Sequence, residues 1–304
     1  MVSWNGAHLL SDCLRALLAQ RGDARTSGGD ARFELRPLVI DNGSRDGTRA
    51  LLARDFPGVE LIATGENLGY GRANNLGMQR ALDEGADFAL LVNNDVELEP
   101  GYLEALLAAA SAQPRAAMFT GTLLFKEREI VNSTGLVFDW FLRATDRDIR
   151  LPREKLARAD GPVDGVSGGA ALLRCAALRE VGLFDPGYFA YYEDVDLSLR
   201  ARAAGWLCWY AGAGIARHRF GATFGPGSPR QRFLLAKNHL RTAGKHLPLA
   251  KAALVVAGTA AYRVGFAAPR ELLAGHLALA RAELTAAGAG VASALAARTD
   301  LTAK

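Results

Sequence analysis

Cysteine is scarce in this chain: Cys13, Cys175 and Cys208 are the whole supply in 304 residues, and none forms a Cys-x-x-Cys pair. An odd, scattered set supports neither a disulfide framework nor a zinc site, and a reducing compartment fits it. The opening MVSWNG lacks the apolar stretch of a secretory signal. Nor is there a run of roughly 18 to 20 uninterrupted apolar residues, the length of a spanning helix. The longest candidate, Ala252 to Tyr262, is closed by Lys251 and Arg263. Internal repeats, low-complexity tracts and long runs of like charge are also missing, which excludes solenoids and argues against disorder. What the chain does have is hydrophobic residues, 50 % of the total, enough for one large domain or a domain with an appendage.

Charge is present but uneven. The net value is +4, yet from Ser228 onward 11 Lys and Arg face only Glu271, Glu283 and Asp300. That tail carries +8 and leaves −4 for the rest, an asymmetry that implies an anionic partner. Nucleic acid is the poorer candidate for that partner, because the basic residues come without interleaved aromatics to stack on bases. An anionic membrane surface fits better.

Apolar periodicity gives the organisation. A helical stripe (Leu10, Leu14, Leu17, Leu18) runs through residues 8–20, followed by a Gly/Asp/Arg loop at 22–32 and a strand from Phe33 to Ile40. Further expected elements are a helix at Thr48–Asp55, a strand at Val59–Ala63, a helix following the Gly/Asn-rich turn at 65–77, a strand at Phe88–Val92 and a helix at Gly101–Ala112. Strand–helix alternation implies an α/β fold with a doubly wound, mostly parallel, Rossmann-like sheet. Later come two short strands within 117–139, a charged loop at 143–162, the apolar run VSGGAALL, and helices at 175–182, 193–204 and 228–247. The strand WLCWY lies between the last two helices. VSWN reads as the end of a core strand preceded only by Met1, so the expectation is that the first strand is cut short and the natural chain begins upstream. The expected division is a domain over 1–247 and a basic, Ala/Leu-rich helical tail over 248–304. A helix across 270–287 would line up Leu273, Leu277, Ala280 and Leu284.

Three acidic clusters sit at element ends: Asp41-Asn42, Asn93-Asn94-Asp95 and Glu193-Asp194-Val195-Asp196. Each has an ordinary explanation, since Asp and Asn end strands in Asx-turns and carboxylates favour a helix N-terminus. Each also has a chemical one. A carboxylate at the carboxyl edge of a sheet is where open α/β folds place ligands. Adjacent acids raise one another's pKa toward general-base duty. The NLGYGRANNLG segment offers glycines and helix-start amides suited to phosphate.

In order and spacing, VSWN, DNGSRDGT, NLGYGRANNLG, NND, GLFDPGYFAYYEDVDLSLRARAAGW and His218 together resemble an inverting glycosyltransferase of family 2, within its rhamnosyltransferase-like branch, over residues 2 to 245. The resemblance implies the GT-A fold. It implies Asp194 as catalytic base, with Glu193 as its neighbour on the acceptor side. It also implies a divalent metal, Mg²⁺ or Mn²⁺, at Asp95 and His218. Nucleotide-sugar contacts are implied for Ser3, Asn5, Asp41, Asn67, Gly69, Arg72, Asn75, Asn94, Gly168 and Gly169. Two departures stand out: Asn93 occupies the first acidic position of the family's DxD motif, and Asn74 sits where relatives carry an arginine. The implied partners are a nucleoside-diphosphate sugar, with dTDP-rhamnose favoured and UDP-sugars open, and a glycan or lipid-linked saccharide acceptor. The implied place is cytoplasmic, peripheral at the inner face of the membrane. Two other readings remain. One is a sugar nucleotidyltransferase, although SWNG lacks the Gly-rich basic loop such enzymes carry. The other is a non-catalytic module that binds nucleotide sugars.

Overall fold

The computed structural model describes the backbone of residues 1–20, 23–26, 29–219, 221 and 225–302, so parts of the expected 22–32 loop lie outside the described residues. Contacts divide the chain into two compact units. The first comprises Met1–Val137, Thr145–Phe189 and Glu193–Phe220. The second comprises Phe138–Ala144, Ala190–Tyr192 and Gly221–Lys304. The helix at 229–246 packs with the C-terminal helices and so falls in the second unit.

The first unit opens with β1 (Val2–Ser3), α1 (Ala7–Leu18), a hairpin of β2 (Asp23–Thr26) and β3 (Gly29–Arg32), β4 (Leu38–Asp41), α2 (Thr48–Asp55) and β5 (Glu60–Ala63). The hairpin occupies part of the expected loop, and the strand expected from Phe33 begins only at Leu38. Strands β1, β4 and β5 pair in parallel, with Val2 opposite Ile40 and Ser3 opposite Asp41. The first strand has two residues. Its terminal amine is buried and donates to Leu38 O at 2.9 Å. Beside it runs a cavity of about 490 Å³ with a mixed lining, apolar at Met1, Ile40 and Met78 and charged at Arg36, Arg80 and Glu84.

Next come α3 (Tyr70–Asp83), β6 (Phe88–Val92), β7 (Val96–Leu98), α4 (Tyr102–Ala112), β8 (Ala116–Phe125), β9 (Val131–Ser133), β10 (Leu136–Phe138), β11 (Ala144–Asp146) and β12 (Gly161–Val163). They are followed by β13 (Ala170–Arg174), α5 (Cys175–Val181), α6 (Glu193–Ala203) and β14 (Leu207–His218). Seven of these strands (β6, β7, β8, β9, β12, β13 and β14) build one sheet in which β14 and β8 are parallel and the other pairs are antiparallel, while β10 and β11 pair with each other. The α/β winding thus holds, while parallel pairing is confined to the N-terminal strands and this one later pair. Apolar runs reveal that a strand is buried but not which neighbour it takes.

Both faces of this sheet are covered, and the pleat sorts the side chains. Phe119 and Leu172 join one core cluster with Leu10, Leu14 and Leu106, whereas Met118 and Leu173 join another with Met78, Leu178 and Leu197. Alternation of this kind is the period of two that a strand imposes. Each fully buried leucine contributes about 1.5–3 kcal/mol relative to exposure.

The second unit holds α7 (Pro229–His246), α8 (Leu249–Tyr262), α9 (Ala268–Leu273) and α10 (Leu277–Thr302). Ser228 caps α7, its hydroxyl accepting from Gln231 N at 3.2 Å, with Pro229 in the first turn. Close approach of α7 and α10 depends on glycine: a Cβ at Gly244 would meet Ala294 at 2.7 Å, and one at Gly290 would meet Leu240 at 2.5 Å. The helix expected across 270–287 is interrupted at Gly275 (φ 77°), so Ala280 is buried while Leu273 and Leu277 are exposed. By contrast, α8 continues through a π-turn (Arg263–Ala267) into α9. The resulting stretch Leu249–Leu273 contains an 18-residue window of mean hydropathy 1.3 and is, by length and composition, long and apolar enough to cross a membrane, a property the sequence reading missed by requiring an unbroken run.

Candidate active site

Register delivers the polar groups to one end of the sheet. Strand β6 stops at Asn93-Asn94-Asp95, and Asn93 N continues the ladder by donating to Gly169 O at 2.9 Å. Pairing of His218 with Val96 across β14 and β7 sets the histidine beside Asp95, with Nε2 3.4 Å from Asp95 Oδ1. Its Nδ1 lies 2.8 Å from Asn132 Oδ1. The expected metal pair is therefore brought together. In addition, Asn93 Oδ1 and Asp95 Oδ1 are buried with no hydrogen-bond partner. Hard oxygens left unsatisfied beside an imidazole suit a divalent cation. Among the described residues no group of three or more His, Cys, Asp or Glu is placed to hold a metal ion, so a cation here would depend on its nucleotide for further ligands.

The base candidate is tied to the same place. Asp194 Oδ2 accepts from Gly168 N at 2.9 Å and Oδ1 from Val195 N at 2.8 Å, so the N-terminus of α6 and the Gly168-Gly169 turn grip both oxygens. Desolvation raises the pKa of Asp194 despite these two N–H donors. Burial likewise pushes Glu193 well up, and the neighbouring Asp194 charge adds to it. Glu193 is 5 % exposed and its Oε2 has no partner. Asp196 is fully buried and faces Arg200, which also binds the Val181, Gly182 and Leu183 carbonyls. The third acid of the cluster is thus an anchor for a loop.

Three residues outside the expected set belong here. The Tyr70 hydroxyl donates to Gly168 O at 2.7 Å. Asn132 holds His218, as above. Asp146 on β11 is pushed up to about 6 by burial, with the Asp194 charge adding to the rise and Ser133 and His218 opposing it. Tyr70 stood inside a quoted motif, whereas nothing local marks Asn132 or Asp146.

The expected nucleotide contacts divide into two groups. Ser3 Oγ accepts from Asn94 Nδ2 at 3.1 Å, and Asn5 exchanges hydrogen bonds with Ser44 Oγ and Arg45 N, so the loops after β1 and β4 are stitched into one rim. Asn67 Oδ1 accepts from Gly69 N, and Asn42 joins both to the rim. Gly69 needs to be glycine: its φ is 84°, and a Cβ would meet Phe189 O at 2.5 Å. Arg72 is exposed on α3, and Asn75 is spent on the Phe184 backbone through both ends of its amide. Asp41 is fully buried, with Oδ1 accepting from Ser44 N at 3.0 Å and Oδ2 bound to Arg49. That is the Asx-turn geometry, with the half-exposed Arg49 paired to the second oxygen.

The family described as Glycosyl transferase family 2 matches residues 1–182. An N-acetylglucosaminyl-diphospho-decaprenol L-rhamnosyltransferase of Mycobacterium tuberculosis is 36 % identical over 208 residues, covering 61 % of this chain and 67 % of that protein. The rhamnosyltransferase WbbL of Escherichia coli K12 is 27 % identical over 193 residues, covering 57 % of this chain and 70 % of its own. Among solved structures, GalNAc-T7 with UDP, GalNAc and Mn²⁺ aligns at a TM-score of 0.56 and 16 % identity. The alignment covers 75 % of this chain and 44 % of GalNAc-T7, so this chain spans less than half of that one. The mannosyltransferase PcManGT from Pyrobaculum calidifontis, in complex with GDP-Man and Mn²⁺, aligns at 0.52 and 15 % identity over 98 % of this chain and 85 % of its own. At such identities the structural likeness carries the GT-A fold alone.

Proposed function

This chain belongs to glycosyltransferase family 2, and from that premise we propose that it moves rhamnose from a nucleoside-diphosphate sugar to a hydroxyl of a lipid-linked saccharide, with inversion. The observation that carries the reading is the placement of Asp194, gripped by the Gly168 turn, in the same edge of the sheet as Asp95 and His218. The relatives named for rhamnosyl transfer, one of them to a decaprenol-linked N-acetylglucosamine, supply the donor and acceptor classes.

Asp194 takes the proton of the acceptor hydroxyl, and desolvation makes its carboxylate a stronger base than an ordinary one. The acceptor oxygen bonds to the anomeric carbon as the bond to the diphosphate breaks on the opposite side, so one displacement inverts the centre. Gly168 and Gly169, lacking side chains, let the sugar lie against backbone. Asp95 and His218 would hold the divalent cation, which when bound neutralises charge developing on the departing diphosphate. With Asn93 in place of a carboxylate, affinity for that cation rests more heavily on the nucleotide.

The reading includes peripheral attachment of the C-terminal unit to an anionic membrane on the cytoplasmic side. Its support is the exposure of Leu254, Phe266, Leu273 and Leu277 (70, 54, 89 and 70 %), together with the +8 charge of the tail. Anionic vesicles should sediment the protein, and Leu254→Glu with Leu273→Glu should abolish this. Equal binding to neutral vesicles at high salt removes the electrostatic part.

A panel of nucleotide sugars, with Mn²⁺ and a lipid-linked N-acetylglucosamine acceptor, tests the activity. Rhamnosylated product with dTDP release is expected. Release of inorganic pyrophosphate from a nucleoside triphosphate would point to a nucleotidyltransferase, and binding without turnover of any donor to a non-catalytic module.

A further inference from the structure

Strand β9 contains one residue too many for its partner. Val131 faces Leu124 and Ser133 faces Leu123, so Asn132 is the extra residue of a β-bulge. Bulges near active sites redirect a side chain that the pleat would otherwise send elsewhere. Here the redirected amide is 3 % exposed, and its Oδ1 sits 2.8 Å from His218 Nδ1. Its Nδ2 is buried with no partner, which is costly to leave in a folded protein.

We propose that Asn132 is a positioning residue: its Oδ1 fixes His218 in the Nδ1–H tautomer and so keeps the Nε2 lone pair directed at the Asp95 side of the site. This extends the proposed metal-holding role of Asp95 and His218 and rests on it. The chemistry leaves two arrangements. With Oδ1 toward the ring, Nδ1 carries the proton and Nε2 is a ligand. With the amide turned over, Nδ2 would donate to Nδ1, and Nε2 would carry the proton toward Asp95 Oδ1, 3.4 Å away. Only the first arrangement leaves a nitrogen able to bind a cation. A neighbouring acceptor that fixes the tautomer of a ligating histidine typically tunes metal affinity by about 10–100-fold.

Two measurements test this without any turnover. The first is the ¹⁵N spectrum of metal-free protein at alkaline pH, with the His218 signals identified by their loss in His218→Gln. The wild type should show the Nδ1–H tautomer. Asn132→Asp, which still accepts from Nδ1–H, should keep it, and Asn132→Leu should lose it. A wild-type His218 already protonated on Nε2, or an unchanged tautomer in Asn132→Leu, overturns the proposal. The second is Mn²⁺ titration in the presence of dTDP. Asn132→Leu should weaken Mn²⁺ binding about 10–100-fold, and Asn132→Asp should restore it. Equal weakening in both variants would make the residue a packing element only. Asn132→Ala serves if the leucine variant does not fold. Wild-type protein that takes up no Mn²⁺ with dTDP defeats the metal-holding reading itself, whereas the tautomer result stands apart from it.

Discussion

Replacing Asp194 with asparagine separates the base from the scaffold more finely than the usual argument allows. The amide removes the proton acceptor, and loss of a general base costs about 10²–10⁴-fold in rate. The substitution is also not silent for binding. Both carboxylate oxygens accept a backbone N–H, from Gly168 and from Val195. An amide has one oxygen, so either rotamer turns an NH₂ toward one of those donors. The lost hydrogen bond is worth about 1 kcal/mol, roughly fivefold in an equilibrium constant. If the strained partner is Gly168, the donor-side turn loosens. We therefore expect kcat to fall at least about 100-fold and the donor KM to rise up to about fivefold, with Glu193→Gln affecting both less. The assay is dTDP release coupled to product detection, with donor concentration varied. A kcat for Asp194→Asn within tenfold of wild type, or a dead Glu193→Gln beside an active Asp194→Asn, refutes the assignment.

Glu193→Gln should raise stability at neutral pH. The folded pKa of Glu193 lies well above its ordinary 4.5 because of burial and the Asp194 charge, so ionising it in the fold is unfavourable. The advantage of the glutamine variant should grow as pH rises from below 4.5 through the folded value; urea midpoints across pH check it, and a constant difference would count against it. A free amine at Met1 has the opposite slope: burial lowers its pKa from 8.0 to about 6, so stability is full above pH 8 and declines as pH falls toward 6, by about 2–3 kcal/mol. Acetylating that amine should flatten the slope in calorimetry. Asp196→Ala removes the carboxylate that faces Arg200, whose side chain is 20 % exposed, and should cost about 1.5–3 kcal/mol in denaturant unfolding. If its unfolding midpoint is unchanged, the anchoring role is wrong.

The legible parts of the site are those where polarity and element boundaries coincide. Asn93-Asn94-Asp95 ends an apolar strand, and Glu193-Asp194 opens a helix, so local sequence makes both candidates for sheet-edge chemistry beside their ordinary turn and helix-start explanations. His218 needed the resemblance, because a histidine between two arginines reads as surface. Asn132 was not legible: its role depends on a bulge and on a partner 86 residues away, and in sequence VNSTG is only a turn. Asp146 was hidden in a charged stretch whose hairpin pairing no local pattern encodes. Antiparallel pairing in the larger sheet escaped for the same reason, since the hydrophobic period is identical in both directions. Asp41 takes the turn geometry that its sequence allowed, accepting from Ser44 N.

The three cysteines, too few to staple anything, are placed to time the opening of the fold. All three are buried and reduced, Cys13 in the cluster on one face of the sheet and Cys175 with Cys208 in the cluster on the other. Burial pushes Cys13 and Cys208 up to about 12 and raises Cys175 as well, so the native protein presents almost no thiolate at neutral pH. A thiol reagent can then react only in the moments when a face comes apart. Cys13 also reaches the Asn93 carbonyl at 3.1 Å, which ties its clock to the strand that carries the site. One labelling rate for all three thiols would mean that the two faces open as a single unit, and two rates would resolve which face yields first.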